Sequence, residues 1–356
     1  MGNDTRNKIE SILESYNVPH LDKGLMTVAA VESIDINDGV VLLKLRFSFP
    51  CAGIESLLVS SISALLEGLS EVKKLLIDVS WKINTHTVAS KKPLIPNVKN
   101  IIAVGSGKGG VGKSTSSVNL ALALKAEGAR VGILDADIYG PSLPLMLGIP
   151  EEVRPRQVDG KYFVPITSFG VQSLSMGNLV NANTPIVWRG PKVSGALLQM
   201  LQQTVWEELD YLIIDLPPGT GDIQLTLAQN VPVTAAVIVT TPQDIALLDA
   251  RKAIEMFNKV DIPVLGVIEN MSVHTCTNCG HKEHIFGQAG AERIAKEYDT
   301  TLLGALPLSL SIREQGDLGI PSVVAEPDSD ISQTYRDIAR NLSAKLSLTE
   351  INKKII

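Results

Sequence analysis

From Asn100 onward the chain alternates short, nearly continuous apolar runs with segments of helical length. The runs are IIAVGS, RVGILD, YLIIDL, AAVIVTT and VLGVIE, and the helical candidates include Ser114 to Glu127, Val193 to Glu208 and Ile245 to Lys259. Strands that are apolar on both faces need cover on both sides, so the alternation predicts a parallel α/β sheet with right-handed crossovers. Ligands of such sheets bind at the carboxyl ends of the strands. Ahead of this region the pattern differs. A helix near Asn7 to Tyr16, an alternating strand Val40 to Phe49, a helix around Gly53 to Leu69 and a strand Lys73 to Trp81 predict a small α+β domain over residues 1–83. The polar segment NTHTVASKKPLIPNVKN, with its two prolines, reads as a linker at 84–99, leaving 100–356 as the second domain.

Composition narrows the function classes. The chain has 356 residues, 45% apolar and 20% charged, with no uncharged apolar run long enough to span a bilayer. A formal net charge of -6 argues against nonspecific nucleic-acid binding as the main task. The N-terminus lacks the apolar core of a signal peptide, and three cysteines are too few for a disulfide framework, which together point to the reducing cytoplasm. The C-terminal stretch from Ile331 places Ile331, Tyr335, Ile338 and Leu342 on one helical face; its polar face is not markedly basic, so it reads as a docking helix and not a membrane anchor.

The run IIAVGS enters GKGGVGKST and then a helix, the strand–loop–helix setting of a phosphate-binding loop. Gly107, Gly109, Gly110, Val111 and Gly112 would turn successive N–H groups toward phosphate oxygens at a helix N-terminus. Lys113 would reach the β and γ phosphates, Ser114 would hold Mg²⁺ through its hydroxyl, and Thr115 would contact the α phosphate. Asp215 ends a buried apolar strand, where a carboxylate can hold Mg²⁺ directly or through water. In the following PPGTGD, the N–H of Gly219 is the candidate sensor of the γ phosphate. LDADIYGPS offers Asp135 and Asp137 at the end of the second strand; either alone could be a helix cap or turn residue.

CTNCGHKEH, at 276–284, holds two of the three cysteines and two of the five histidines, with His274 just before it. No helix start is evident there to lower a thiol pKa, which disfavours a thioredoxin-like redox role. Two metal readings remain open. Cys276, Cys279, His281 and His284 could bind one Zn²⁺ in a single chain, although the ligand pairs are crowded. Alternatively, Cys276 and Cys279 supply half of the four thiolates of a [4Fe-4S] cluster, the other half coming from a second chain across a two-fold axis.

The motifs GKGGVGKST, LDADIYGPSLP, PIVWRGP, DYLIIDLPPGTGD, VTTPQ, IENMS and CTNCG occur in an order that resembles the Mrp/ApbC family of P-loop ATPases, over residues 100 to about 347. The extra lysine, Lys108, is similar to that of the deviant Walker A loop of the class that includes MinD, ParA and the nitrogenase iron protein, where it reaches the nucleotide of a partner subunit. The resemblance implies a P-loop NTPase domain, with ATP and Mg²⁺ bound between two chains. By the same resemblance Asp137 orients the attacking water, Asn270 reads the adenine edge and the backbone near Pro307 closes on the base. It also implies a homodimer that carries a labile [4Fe-4S] cluster on Cys276 and Cys279, takes it from cluster scaffold proteins and gives it to apo iron–sulfur proteins, with neither nucleic acid nor membrane as partner. Cys51 of FSFPC matches a recurrent cysteine of the small domain that often precedes this ATPase, and equally suits a small buried apolar position; the first 40 residues diverge and the usual Asp-Pro is absent. The competing expectation is a ParA- or MinD-like positioning ATPase with a structural zinc or no metal. A nitrogenase-like electron donor is a third option, but that class places its cluster cysteines one per loop.

Overall fold

The computed structural model describes residues 2–21, 23–86, 94–138, 140–179 and 190–349. Tyr139, the middle of the expected linker at 87–93, PIVWR at 185–189 and the end of the expected C-terminal helix at 350–356 lie outside the described residues. Two compact units are present, one formed by Met1–Asn84, Ala126–Gly128 and Ala339–Thr349, the other by Thr85–Lys125 and Ala129–Ile338. Two short segments of the second expected domain therefore group with the first unit.

The first unit contains α1 (Gly2–Ser15), β1 (Ala29–Asn37), β2 (Val40–Phe47), α2 (Glu55–Leu66) and β3 (Lys74–Trp81). The order of its sheet is β1-β2-β3, antiparallel then parallel. Along β2 the residues Val41, Leu43, Leu45 and Phe47 are buried and their neighbours are not, the period-two pattern of a half-covered strand. Leu58, Ile62 and Leu66 of α2 form the matching helical stripe. The strand β1 was not expected. Its pairing with β2 turns on Asp38-Gly39, both at positive φ (51° and 85°), a two-residue hairpin for which Asp-Gly is a strong local signal. Glu127 and Arg340, both fully buried here, form an ion pair at 2.6 Å, and Glu127 also accepts the N–H of Gly53 at 3.0 Å.

The second unit contains β4 (Val98–Gly105), α3 (Lys113–Ala126, its last residue in the first unit), β5 (Val131–Asp135), β6 (Ile166–Ser168), β7 (Val171–Ser175), α4 (Gly190–Gln203), β8 (Leu209–Asp215), α5 (Asp222–Asn230), β9 (Ala235–Thr240), α6 (Asp244–Asn258), β10 (Val264–Glu269), α7 (Gly290–Glu297), β11 (Leu302–Ala305), α8 (Leu310–Asp317) and the first half of α9 (Asp330–Leu348), whose second half from Ala339 belongs to the first unit. Its eight-stranded sheet runs β6-β7-β5-β8-β4-β9-β10-β11 and is parallel except for β6 against β7. The five apolar runs form its centre, and all residues of β5, β8 and β9 are buried. The edge strands β6 and β11, and β7 beside β6, were not expected. The expected helix to Glu208 ends at Gln203, where the Thr204 hydroxyl donates to the Met200 carbonyl at 2.6 Å and the Val205 N–H donates to Phe163. From β4 the chain runs to β5 on one side of the sheet and, after β8, crosses to β9 on the other, so the switch point of the fold lies at the carboxyl ends of β4 and β8. Among the described residues no helix is long and apolar enough to cross a membrane.

Candidate nucleotide site and cysteine knuckle

β4 ends at Gly105 and α3 begins at Lys113, so the loop between them opens onto a helix N-terminus at the switch point. Gly110 and Gly112 adopt φ of +81° and +83°, the left-handed region that lets consecutive N–H groups curl inward. A Cβ on Gly112 would stand 2.1 Å from Asn270 Nδ2, so only glycine allows that approach. The cation of Lys113 is 2.8 Å from Asp215 Oδ1, and the Ser114 hydroxyl donates to Asp215 Oδ2 at 2.6 Å. Ser117, one helical turn beyond Lys113, also donates to Asp215 Oδ1 at 2.6 Å. That third partner escaped the sequence reading, although its i+4 spacing from Lys113 was visible. The lysine, the hydroxyl and the strand-end carboxylate expected to serve phosphate and Mg²⁺ thus converge on one buried point, and their chemistry fits both groups. Thr115 lies half-buried on the first turn of α3.

Asp135 stands in register with Asp215 on the adjacent strand and is fully buried. Its carboxylate accepts the N–H groups of Asp137 at 3.1 Å, Ser142 at 3.2 Å and Leu143 at 3.3 Å, and the Ser175 hydroxyl at 2.9 Å. Burial first, and the Asp215 charge second, push its pKa up to about 7. Asp135 therefore ties down the turn that carries Asp137, which is half-buried at the edge of the site. Across the site, the Gly219 N–H donates to the Ser106 carbonyl at 2.9 Å, and the Ser106 hydroxyl donates to the Lys108 carbonyl at 2.9 Å. The expected sensor N–H is thus committed to the phosphate loop in this state. Gln224, which the sequence reading missed, fixes the same loop by donating to the carbonyls of Pro217 at 3.2 Å and Pro218 at 2.6 Å. Lys108 is half-buried, and Gly107 before it lies so close to α6 that a Cβ would stand 2.1 Å from the Asp249 carbonyl carbon.

Beside the loop is a pocket of about 250 Å³ whose lining includes Gly112, Thr115, Asn270, Met271, Pro307 and Leu308. The residues expected to meet the base are therefore gathered around a cavity of suitable size. Both ends of the Asn270 amide are engaged: Nδ2 donates to the Val111 carbonyl at 2.9 Å, and Oδ1 accepts the Met271 N–H at 3.0 Å. Asn270 thus braces the phosphate loop, a contact not anticipated from sequence.

Past β10 the chain forms a short antiparallel ladder, His274–Thr275 with Lys282–Glu283, which carries the cysteines at its tip. Gly280, at φ +73°, donates its N–H to the Cys276 carbonyl at 2.9 Å and lets the turn close. Cys276 is half-buried and Cys279 exposed. The backbone N–H groups of Cys279 and Asn278 point at the Cys276 sulfur and hold its thiol below the ordinary range, so this knuckle favours thiolate. His284 is turned away: its Nδ1 meets the Ser272 carbonyl at 2.8 Å. His281 lies 3.5 Å from Glu283. Among the described residues no three His, Cys, Asp or Glu side chains are gathered as a metal site. Cys51 lies elsewhere, in the first unit, fully buried with its thiol pushed up by burial and by Glu127.

Residues 97–343 match the family model described as ParA, the NUBPL iron-transfer P-loop NTPase. The chain belongs to this family. The iron–sulfur cluster carrier protein of Pseudomonas fragi is 60% identical over 274 residues, 77% of this chain and 94% of that one. The protein of the same description from Escherichia coli K12 is 51% identical over 346 residues, 96% of this chain and 92% of the relative, so the likeness extends through the first unit. Among solved structures, a nucleotide-binding protein from Archaeoglobus fulgidus in complex with ADP has a TM-score of 0.58 at 37% identity, covering 66% of this chain and 90% of that one. An iron-transfer P-loop NTPase is thus the frame in which the two sites stand.

Proposed function

We propose that the chain binds and hydrolyses ATP and, as a homodimer, carries a labile [4Fe-4S] cluster on Cys276 and Cys279 of both protomers for delivery to apo iron–sulfur proteins. The observation that carries this reading is the knuckle. It presents two thiols at an exposed tip, with backbone N–H groups favouring thiolate and no third ligand gathered among the described residues. A [4Fe-4S] cluster takes four thiolates, and a two-fold axis supplies the second pair. That relatives are known as iron–sulfur cluster carrier proteins supports an iron–sulfur cargo.

In the nucleotide site Lys113 would exchange Asp215 for the β and γ phosphates. Ser114 and Asp215 would hold Mg²⁺, which supplies neutralisation of phosphate charge. Asp137 would orient the attacking water, Lys108 would reach the partner's nucleotide, and Gly219 would leave Ser106 for the γ phosphate. Asn270 and the backbone at Pro307 would face the adenine. The free thiols suit a reducing compartment such as the cytoplasm, where scaffold proteins would load the cluster. Anaerobic reconstitution with iron and sulfide, followed by metal and sulfide analysis, tests the reading. About four irons per dimer, lost in the Cys276→Ser, Cys279→Ser variant, support it; about one zinc per chain would replace it with the single-chain metal site of a positioning ATPase.

A further inference from the structure

After β10 the chain does not leave its neighbour. The Leu306 N–H donates to the Glu269 carbonyl at 2.8 Å, the Ser272 N–H and hydroxyl to the Leu306 carbonyl at 2.9 and 3.0 Å, and the Leu308 N–H to the Val273 carbonyl at 2.9 Å. His274 bridges Leu308, with its Nδ1 3.3 Å from the Leu308 carbonyl. Residues 270–275 and 306–308 thus prolong the sheet as a two-stranded strip. One part of the strip, Asn270, Met271, Pro307 and Leu308, lines the 250 Å³ pocket. The next residues are the root of the knuckle. From His274 to Cys276 is two residues, about 7 Å of extended chain. The second arm returns to the same strip, since His284 Nδ1 meets the Ser272 carbonyl at 2.8 Å. A carbonyl only accepts, so both histidines carry their proton on Nδ1 in these contacts.

We infer that residues 306–308 are a strap shared by the pocket and the knuckle, and that His274 and His284 are positioning residues which carry nucleotide occupancy to Cys276 and Cys279. The inference rests on the reading of the pocket as the base site. A base seated there presses on Pro307 and Leu308. Leu308 is bonded through both its N–H and its carbonyl to the Val273–His274 segment, so displacement passes to the root of the hairpin. The exposed turn at 277–280 cannot absorb that motion at its root, where both arms are tied. Coupling of this kind is reciprocal: whatever nucleotide does to the thiols, occupation of the thiols does to nucleotide affinity, by the same factor.

The test uses the reduced, cluster-free full-length protein. Iodoacetamide labelling rates of Cys276 and Cys279 are read by peptide mass spectrometry with and without Mg-ADP, while binding of a fluorescent ADP derivative is titrated in parallel. The expected result is a change in labelling rate of about fivefold or more on saturation, the lower end of coupling between sites. His284→Ala and His274→Ala should abolish the response while ADP still binds, and His284→Asn, whose amide N–H replaces Nδ1–H, should restore it. Saturable binding with unchanged labelling in the natural protein overturns the inference, as does an undiminished response in both alanine variants. Absence of ADP binding overturns the base-site reading itself, and the strap with it.

Discussion

Asp135 and Asp215 lie side by side in register at the ends of β5 and β8, and the cation goes to Asp215 while neutral donors surround Asp135. Burial first, and the charge of the neighbouring Asp215 second, push Asp135 up to about 7. The arrangement divides the labour. Asp215 holds the lysine and hydroxyls of α3, and Asp135 holds the turn bearing Asp137.

Removing that anchor should loosen the turn. Asp135→Ala leaves three N–H groups and the Ser175 hydroxyl without their acceptor, a loss expected to lower stability by about 1–3 kcal/mol after water fills part of the gap. ATP turnover should fall further than nucleotide affinity, since Asp137 is displaced and Lys113 is not. Urea melts and steady-state turnover check both; an unchanged midpoint would contradict the anchoring role.

Lys113 and Lys108 should separate cleanly. Lys113→Ala strands Asp215 as a buried, uncompensated charge, which costs about 3–5 kcal/mol, and should abolish nucleotide binding. Lys108→Ala touches a half-buried side chain and should shift stability by no more than about 0.5 kcal/mol while lowering turnover. Equal destabilisation by the two variants in chemical denaturation would refute this division.

Gly112→Ala should act on the base pocket through Asn270. The new methyl would meet the Asn270 amide at 2.1 Å, and the residue would be held at φ +83°, a backbone strain of about 1–2 kcal/mol. Nucleotide affinity should drop, and adding Asn270→Ala should relieve the clash without relieving the strain. Isothermal titration of the single and double variants gives the comparison.

The three cysteines should divide two to one. Ellman titration of the native, reduced chain should count two fast thiols, Cys276 and Cys279, with Cys51 appearing only in denaturant. Cys51→Ala should leave the iron content of the reconstituted dimer unchanged. A third fast thiol would show that Cys51 is open to solvent.

The central strands were legible because each is buried on both faces, which leaves a nearly unbroken apolar run. The strands that escaped have no such run: β6 and β7 lie in the polar ITSFGVQSLS, where β7 is mostly buried but includes Ser173 and Ser175, β11 has four residues, and β1 is buried at one position. The phosphate loop was legible as a contiguous motif, since its glycines serve backbone geometry within nine residues. Ser117 and the bracing role of Asn270 were not, because their partners, Asp215 and Val111, are distant in sequence; Gln224 reaches carbonyls only six and seven residues back, but the contact depends on how the 217–221 loop folds onto the helix that carries it. The cysteine spacing showed a ligand pair. That His284 turns to Ser272 instead of joining that pair depends on how the hairpin closes, which no spacing rule states.

The buried Glu127–Arg340 pair joins residues from the far end of α3 and from α9 to the unit built around Cys51 and α2. That unit is discontinuous, assembled from three stretches of chain. A protease nick between residues 84 and 97 would leave the second unit nearly whole on the C-terminal side but would part the first unit from its own stretches at 126–128 and 339–349. The fragments should co-migrate until denatured, and the N-terminal fragment expressed alone, lacking 126–128 and 339–349, should not melt in a single sharp transition.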